Sequence, residues 1–141
     1  MQAIVNQSAQ VRPSVGNAVN TSGSCGDIQG ASTALQNAAA TRHDLLTQAS
    51  SLNVADIPDG ATAKSDLVRA LDASATADQD YAAWGRDVAS QPCTGTAPLD
   101  GNYTAAGQSD QQATTAKQQF VAVWNPTAQK LGLPPADPNA F

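Results

Sequence analysis

Residues 25–52 read CGDIQGASTALQNAAATRHDLLTQASSL, and within them Ile28, Ala31, Leu35, Ala38, Arg42, Leu45, Ala49 and Leu52 recur at alternating spacings of three and four. A stripe with that period is the inward face of one long α-helix. Ser24 is placed to cap its first turn, with Asp27 three residues on as a short-armed capping box, and Asn53 is a stop signal at the far end. The breaker cluster Asp56-Ile57-Pro58-Asp59-Gly60 follows, in which Asp59 can cap what comes next. A second stripe then begins, with Ala63, Leu67, Ala70, Ser74, Ala77, Tyr81, Trp84 and Val88 at the same spacing, and it ends before Pro92.

So short a connection makes the helices expected at 25–52 and 61–90 antiparallel neighbours. Equal rise on both arms places residues side by side when their numbers sum to about 113. Cys25 then lies near Val88, within about one turn of Cys93. Two cysteines at the open end of one hairpin meet what a disulfide requires of the chain, and closing so long a loop stabilises the fold by roughly 4 kcal/mol in the chain-entropy model. A persistent disulfide implies an oxidising compartment, so the expected location is extracytoplasmic: secreted, or anchored at the outer face of the cytoplasmic membrane.

Outside the hairpin, Ala106, Ala113, Ala116, Phe120 and Val123 mark a third long helix over 103–125 with a Gln-rich outer face. Asn125-Pro126 reads as a kink, or as a cap with proline opening a short helix over 126–132 that Gly132 ends. The Pro-rich tail from Leu133 cannot continue a helix and is expected extended against the bundle. Ile4, Ser8, Val11, Val15 and Ala18 form a weaker helix over 1–22, kinked at Pro13 and Gly16. The expected fold is one all-α domain over 1–141, an antiparallel up-down-up-down four-helix bundle with one disulfide.

Composition narrows function by exclusion. Hydrophobic residues make up 41% of the 141, largely alanine, and aromatics only 4%, which suits helices in close approach better than a β-sandwich. All twelve acidic residues are aspartate, and the seven basic ones are scattered, so there is no footprint for nucleic acid or an anionic membrane surface. A di-iron bundle needs inward glutamates and Glu-x-x-His pairs, whereas this chain has no glutamate and one histidine, His43, on a helix flank. The cysteines are too far apart for a redox Cys-x-x-Cys motif. No cofactor, metal site or catalytic residue emerges. The start at Met1-Gln2-Ala3 reads as lying downstream of a signal or membrane anchor, and any membrane attachment is expected through a segment outside these residues.

Arg42-His43-Asp44-Leu45-Leu46, Ala77-Asp78, Tyr81-Ala82-Ala83-Trp84, Cys93, Val123-Trp124-Asn125 and Gly132-Leu133 together resemble a pattern in uncharacterised actinobacterial membrane-anchored or secreted proteins. The resemblance runs from Arg12 onward and implies an exported helical region that follows one transmembrane segment, with no activity attached. Pro126 departs from the pattern, where a helix-compatible residue is expected.

The candidate binding residues are Arg42, Tyr81, Trp84 and Trp124. Arg42 is the charged residue on a core stripe, so it must reach the rim or find a partner inside, and stacking on Trp124 would provide one. With Arg42 as the lone inward cation, the helical chorismate mutases, which grip a dicarboxylate with several, are a poor match. Tyr81 and Trp84 lie one turn apart near the disulfide end, where Asp110 and Arg86 can approach; such a pair lines a cleft or fills a bundle end. These features favour a binding or sensing module for a protein, envelope component or small ligand, monomeric or weakly dimeric. A structural spacer or assembly domain of the envelope is the alternative, and a small helical enzyme a third reading that requires a polar pocket at Arg42 or Tyr81.

Overall fold

The computed structural model describes all residues 1–141. It has four α-helices and no strand: α1 (Gln2–Gly23), α2 (Ile28–Ser51), α3 (Gly60–Ala89) and α4 (Gly101–Lys130). None is long and apolar enough to cross a membrane. Cys25 and Cys93 are joined with their Cα atoms 5.5 Å apart.

The helix ends show how the chain turns. Asp27, not Ser24, caps α2, its carboxylate accepting from the Gly30 amide at 3.0 Å. Ser24 instead closes α1, its hydroxyl donating back to the Asn20 and Thr21 carbonyls. Cys25 takes the left-handed seat at that closure (φ 52°), where the Cys25 and Gly26 amides donate to the Ser22 and Thr21 carbonyls. Glycine fills this seat most easily, so it is the bond to Cys93 that calls for cysteine there. Asp59 does precede α3, but in a left-handed conformation and without a side-chain cap bond. Gly60 is needed next to it, since a Cβ there would lie 2.7 Å from the Val54 carbonyl oxygen.

The separate helix expected at 126–132 does not form; α4 starts at Gly101, capped by Asp100, and runs through Pro126 to Lys130. Pro126 removes a donor to the Ala122 carbonyl, but both residues are exposed, so water can satisfy that oxygen. Beyond the proline the helix is held from outside. Asn125 makes two hydrogen bonds with the backbone of Ala136, and the Thr127 hydroxyl donates to the Pro58 carbonyl at 3.3 Å. Gly132 does end it, with φ 69° and the Gly132 and Leu133 amides donating to the Gln129 and Ala128 carbonyls. The chain then folds back until Phe141 is fully buried edge-on against Phe120. Likewise α1 continues unbroken through Pro13.

The bundle is open on one side. The consecutive pairs α1–α2, α2–α3 and α3–α4 pack together, but no Cα atom of α1 comes within 8 Å of one of α4. Side chains bridge them at one end, where the Trp124 indole donates to Gln2 Oε1 at 3.0 Å. The core is divided too. A large apolar cluster around Leu45, Leu67, Leu71, Phe120, Trp124 and Phe141 occupies one half. Smaller clusters around Leu35 and Trp84 occupy the disulfide half. Between them lies a layer of buried polar residues: Ser8, Arg42, Ser74, Asp78 and Lys117.

The disulfide spans 68 positions, and a loop of that size is worth about 4 kcal/mol by chain entropy. Replacing both cysteines with serine lowers the unfolding free energy by roughly that amount while leaving the helical circular dichroism of the native baseline in place. Urea titration of the oxidised wild type against Cys25→Ser/Cys93→Ser measures it; midpoints that coincide at equal slope refute it.

Candidate functional site

Where α1 and α4 separate, a cleft of about 560 Å³ opens, and all four helices contribute to its lining. Arg12, Asn17 and Asn20 come from α1, Arg42 from α2, Ser74, Asp78 and Tyr81 from α3, and Asp110, Thr114 and Lys117 from α4. It is the polar layer of the interior, reached from outside.

Arg42 is 3% exposed and partly satisfied within the protein. Its Nε donates to Asp78 Oδ2 at 3.1 Å, and its Nη1 to the Ser8 carbonyl at 3.2 Å and to the Ser8 hydroxyl. One guanidinium thus ties α1, α2 and α3 together, and Nη2 is left with no protein acceptor. Burial pushes the Asp78 carboxyl up, against the opposing pull of Arg42 beside it. The stacking of Arg42 on Trp124 does not occur. Trp124 lies in the large apolar cluster, stacked on Phe120 with ring centroids 6.2 Å apart. The facing partner is Asp78, about two turns further along α3 than the equal-rise register placed it.

Lys117 alters the charge balance most, and the sequence reading missed it. It is 3% exposed, forms no ion pair, and holds its ammonium 5.5 Å from the centroid of the Phe141 ring. Burial, then Arg42, then Arg12 lower its pKa to about 8. Arg42 is therefore not the lone inward cation. The signal was available, because Ala113, Lys117, Phe120 and Trp124 keep the spacing of three and four that the reading drew through Ala116 instead. The Ser74 hydroxyl, buried in the same lining, also has no hydrogen-bond partner.

Of the other candidates, Tyr81 lines the cleft and donates to Asp110 Oδ2 at 3.0 Å. Burial and that carboxylate push its phenol up. Trp84 does not line this cleft; its indole donates to the Pro98 carbonyl at 2.9 Å and its ring meets Tyr103 edge-on, filling the disulfide end beneath residues 93–100. Arg86 lies elsewhere, beside Gln36 and Gln79, and His43 is exposed. No three histidine, cysteine or aspartate side chains converge as metal ligands would. The site holds donors and positive charge, which suits holding an anion. No family model matches the chain, and no curated protein or solved structure shows significant similarity to it.

A lysine whose side chain is largely buried, with no carboxylate within ion-pair distance, opposes folding. Lys117→Met removes that burden and raises the unfolding free energy at pH 7 by about 1 to 3 kcal/mol. The sign has a pH signature. The folded chain holds this proton less tightly than the unfolded one, so between about 8 and the ordinary 10.5 the wild type gains stability as pH rises. The gap to Lys117→Met narrows across that window, and chemical denaturation at a series of pH values reads it. Asp78→Ala strands Arg42 instead and costs about 3 to 5 kcal/mol; a stability equal to wild type in the same titration would refute the coupling.

Proposed function

We propose that this chain is an extracytoplasmic recognition module, and that the cleft between α1 and α4 is its ligand site. One observation carries the reading: the Lys117 side chain, 3% exposed as a whole and without a hydrogen-bond or ion-pair partner in the protein, and the buried, unpartnered Ser74 hydroxyl line the same opening. Folded proteins pair such groups unless something else satisfies them. A ligand with an acceptor group does so here, and the cleft falls within the size range of small-molecule sites. A spacer or assembly domain has no need of an uncompensated internal cation, and filling the layer with apolar side chains would hold it together better.

The helices are taken in up-down-up-down order with antiparallel neighbours. Pairs at the two ends support that order. At one end are the disulfide, the Ala97 amide on the Gly23 carbonyl at 2.9 Å, and Gln29 Nε2 on the Ala89 carbonyl at 3.4 Å. At the other, Lys64 Nζ donates to the Leu52 carbonyl at 2.8 Å and Trp124 to Gln2. The disulfide supports an oxidising setting. The likeness to exported regions of actinobacterial membrane-anchored proteins supports a module secreted or held outside the membrane by a segment beyond these residues. The one cleft hydroxyl paired with a carboxylate is the Tyr81 phenol on Asp110, whose proton is held more tightly than usual, so binding is favoured over catalysis.

The test is a thermal-shift screen of oxidised protein against small anions and neutral polar compounds. At one hundred times its dissociation constant, a ligand adds about 2.7 kcal/mol to the folded state. The expected result is a class of anions that raises the wild-type midpoint and leaves Lys117→Met unmoved. A screen in which nothing shifts the wild type, or in which both proteins shift alike, sinks the reading in favour of a spacer.

A further inference from the structure

The chemistry of the ligand follows from the charges already in the cleft, given that the cleft is a recognition site. Three cations line it, Arg12, Arg42 and Lys117, against two carboxylates, Asp78 and Asp110. Asp78 is committed to Arg42 at 3.1 Å, and Asp110 accepts from the Tyr81 hydroxyl at 3.0 Å. One positive charge is left over, in a chain whose net charge is -5. A monoanion brings the cleft to neutrality. A dianion overshoots, and it does so facing two carboxylates in a partly desolvated space where like charges repel strongly.

The acceptor geometry of the ligand is set by what is unused. Lys117 and Ser74, each 3% exposed, offer donors that nothing in the chain takes up, and Arg42 Nη2 is free as well. A carboxylate has enough lone pairs to accept from all of them. The rest of the wall is polar, with only three of its fourteen lining residues hydrophobic. On the α1 side the exposed side-chain amides of Asn17 and Asn20 have no partner within the protein, which suits a body carrying hydroxyl groups.

We propose that the cleft binds a small monocarboxylate with a hydroxylated body, its carboxylate held by Lys117 and Ser74, and that Asp78 and Asp110 exclude dianions. Affinity depends on pH through Lys117, which faces Arg12 of α1, Arg42 of α2, Asp78 and Tyr81 of α3, and Asp110 on its own helix. Binding weakens as pH rises past about 8, where its ammonium loses the proton.

Isothermal titration calorimetry on the oxidised full chain at pH 7 tests this with four probes: gluconate, hexanoate, sulfate and glucose. Gluconate is expected to bind at least about tenfold more tightly than hexanoate or sulfate, with glucose silent. Lys117→Met abolishes the gluconate heat. Asp110→Asn adds one net positive charge to the cleft, keeps an acceptor for Tyr81, and moves the preference toward sulfate. If sulfate or hexanoate matches gluconate on the wild type while binding still requires Lys117, the ligand class is overturned and the recognition site stands. If none of the three anions gives a Lys117-dependent heat, both fall.

Discussion

A guanidinium taken out of water needs acceptors, and Arg42 of α2 finds them on two other helices at once. Asp78 on α3 supplies charge, while the Ser8 backbone and side chain on α1 supply acceptors. No other side chain joins three helices by its hydrogen bonds. The pair is a constraint rather than a source of stability, because the desolvation of two ions offsets most of their attraction. What it does is fix the height and rotation of α1, α2 and α3 relative to one another, since a slip by one turn strands a charge. The apolar clusters above and below are divided at this level, so the ion pair decides where the core is interrupted.

The interruption is compensated at both ends. Toward the disulfide, Trp84 packs with Tyr81 and Tyr103 in a small cluster, and a covalent bond adds to it. At the other end Phe120, Trp124 and the returning Phe141 supply the other three of the six aromatics, within the larger core. Alanine on the inward stripes lets the helices approach closely, and Gly85 shows how closely: a Cβ there would lie 2.9 Å from Leu35 Cδ1. Small side chains on α1 and α4 do not bring those two helices together, however. Residues with positive charge, Arg12 on one and Lys117 on the other, face the space between them, and their repulsion disfavours closure.

The sequence made the helices and the Cys25–Cys93 link legible because helix periodicity and the two cysteines are independent signals that agree on bringing the sulfurs together. The same period located most of the buried stripe on α2 and α3. It failed where a local preference was set against tertiary contacts. Pro126 looks like a helix break, yet Asn125, Thr127 and the apolar neighbours Trp124 and Ala128 hold α4 on course. Ser24 and Asp27 are both good caps, and spacing alone does not say which belongs to which helix. For the cleft, sequence drew attention to Arg42 and Tyr81, which the structure places on its wall, and to Trp84 and Trp124, which it places in the packing at opposite ends. Asp78, quoted only among the residues of the resemblance, and Lys117 were not singled out as site residues because a reading that assigns charged residues to the surface passes over them, although each falls within one position of a stripe.

That oversight points to what distinguishes a working interior from a merely stable one. Polar residues at inward positions are expected to be paired, and Arg42 with Asp78 follows the expectation. Lys117 does not, and the aromatic face of Phe141 beside it is a weak substitute for a carboxylate. A cation kept inside without an ion-pair partner lowers the stability of the free protein, and on the proposed reading an anion would recover that free energy, because the group has already been desolvated and oriented. The covalent clamp at one end and the aromatic cluster at the other are then more than reinforcement. They supply the stability that lets an unpaired charge persist in the middle of a small bundle without unfolding it.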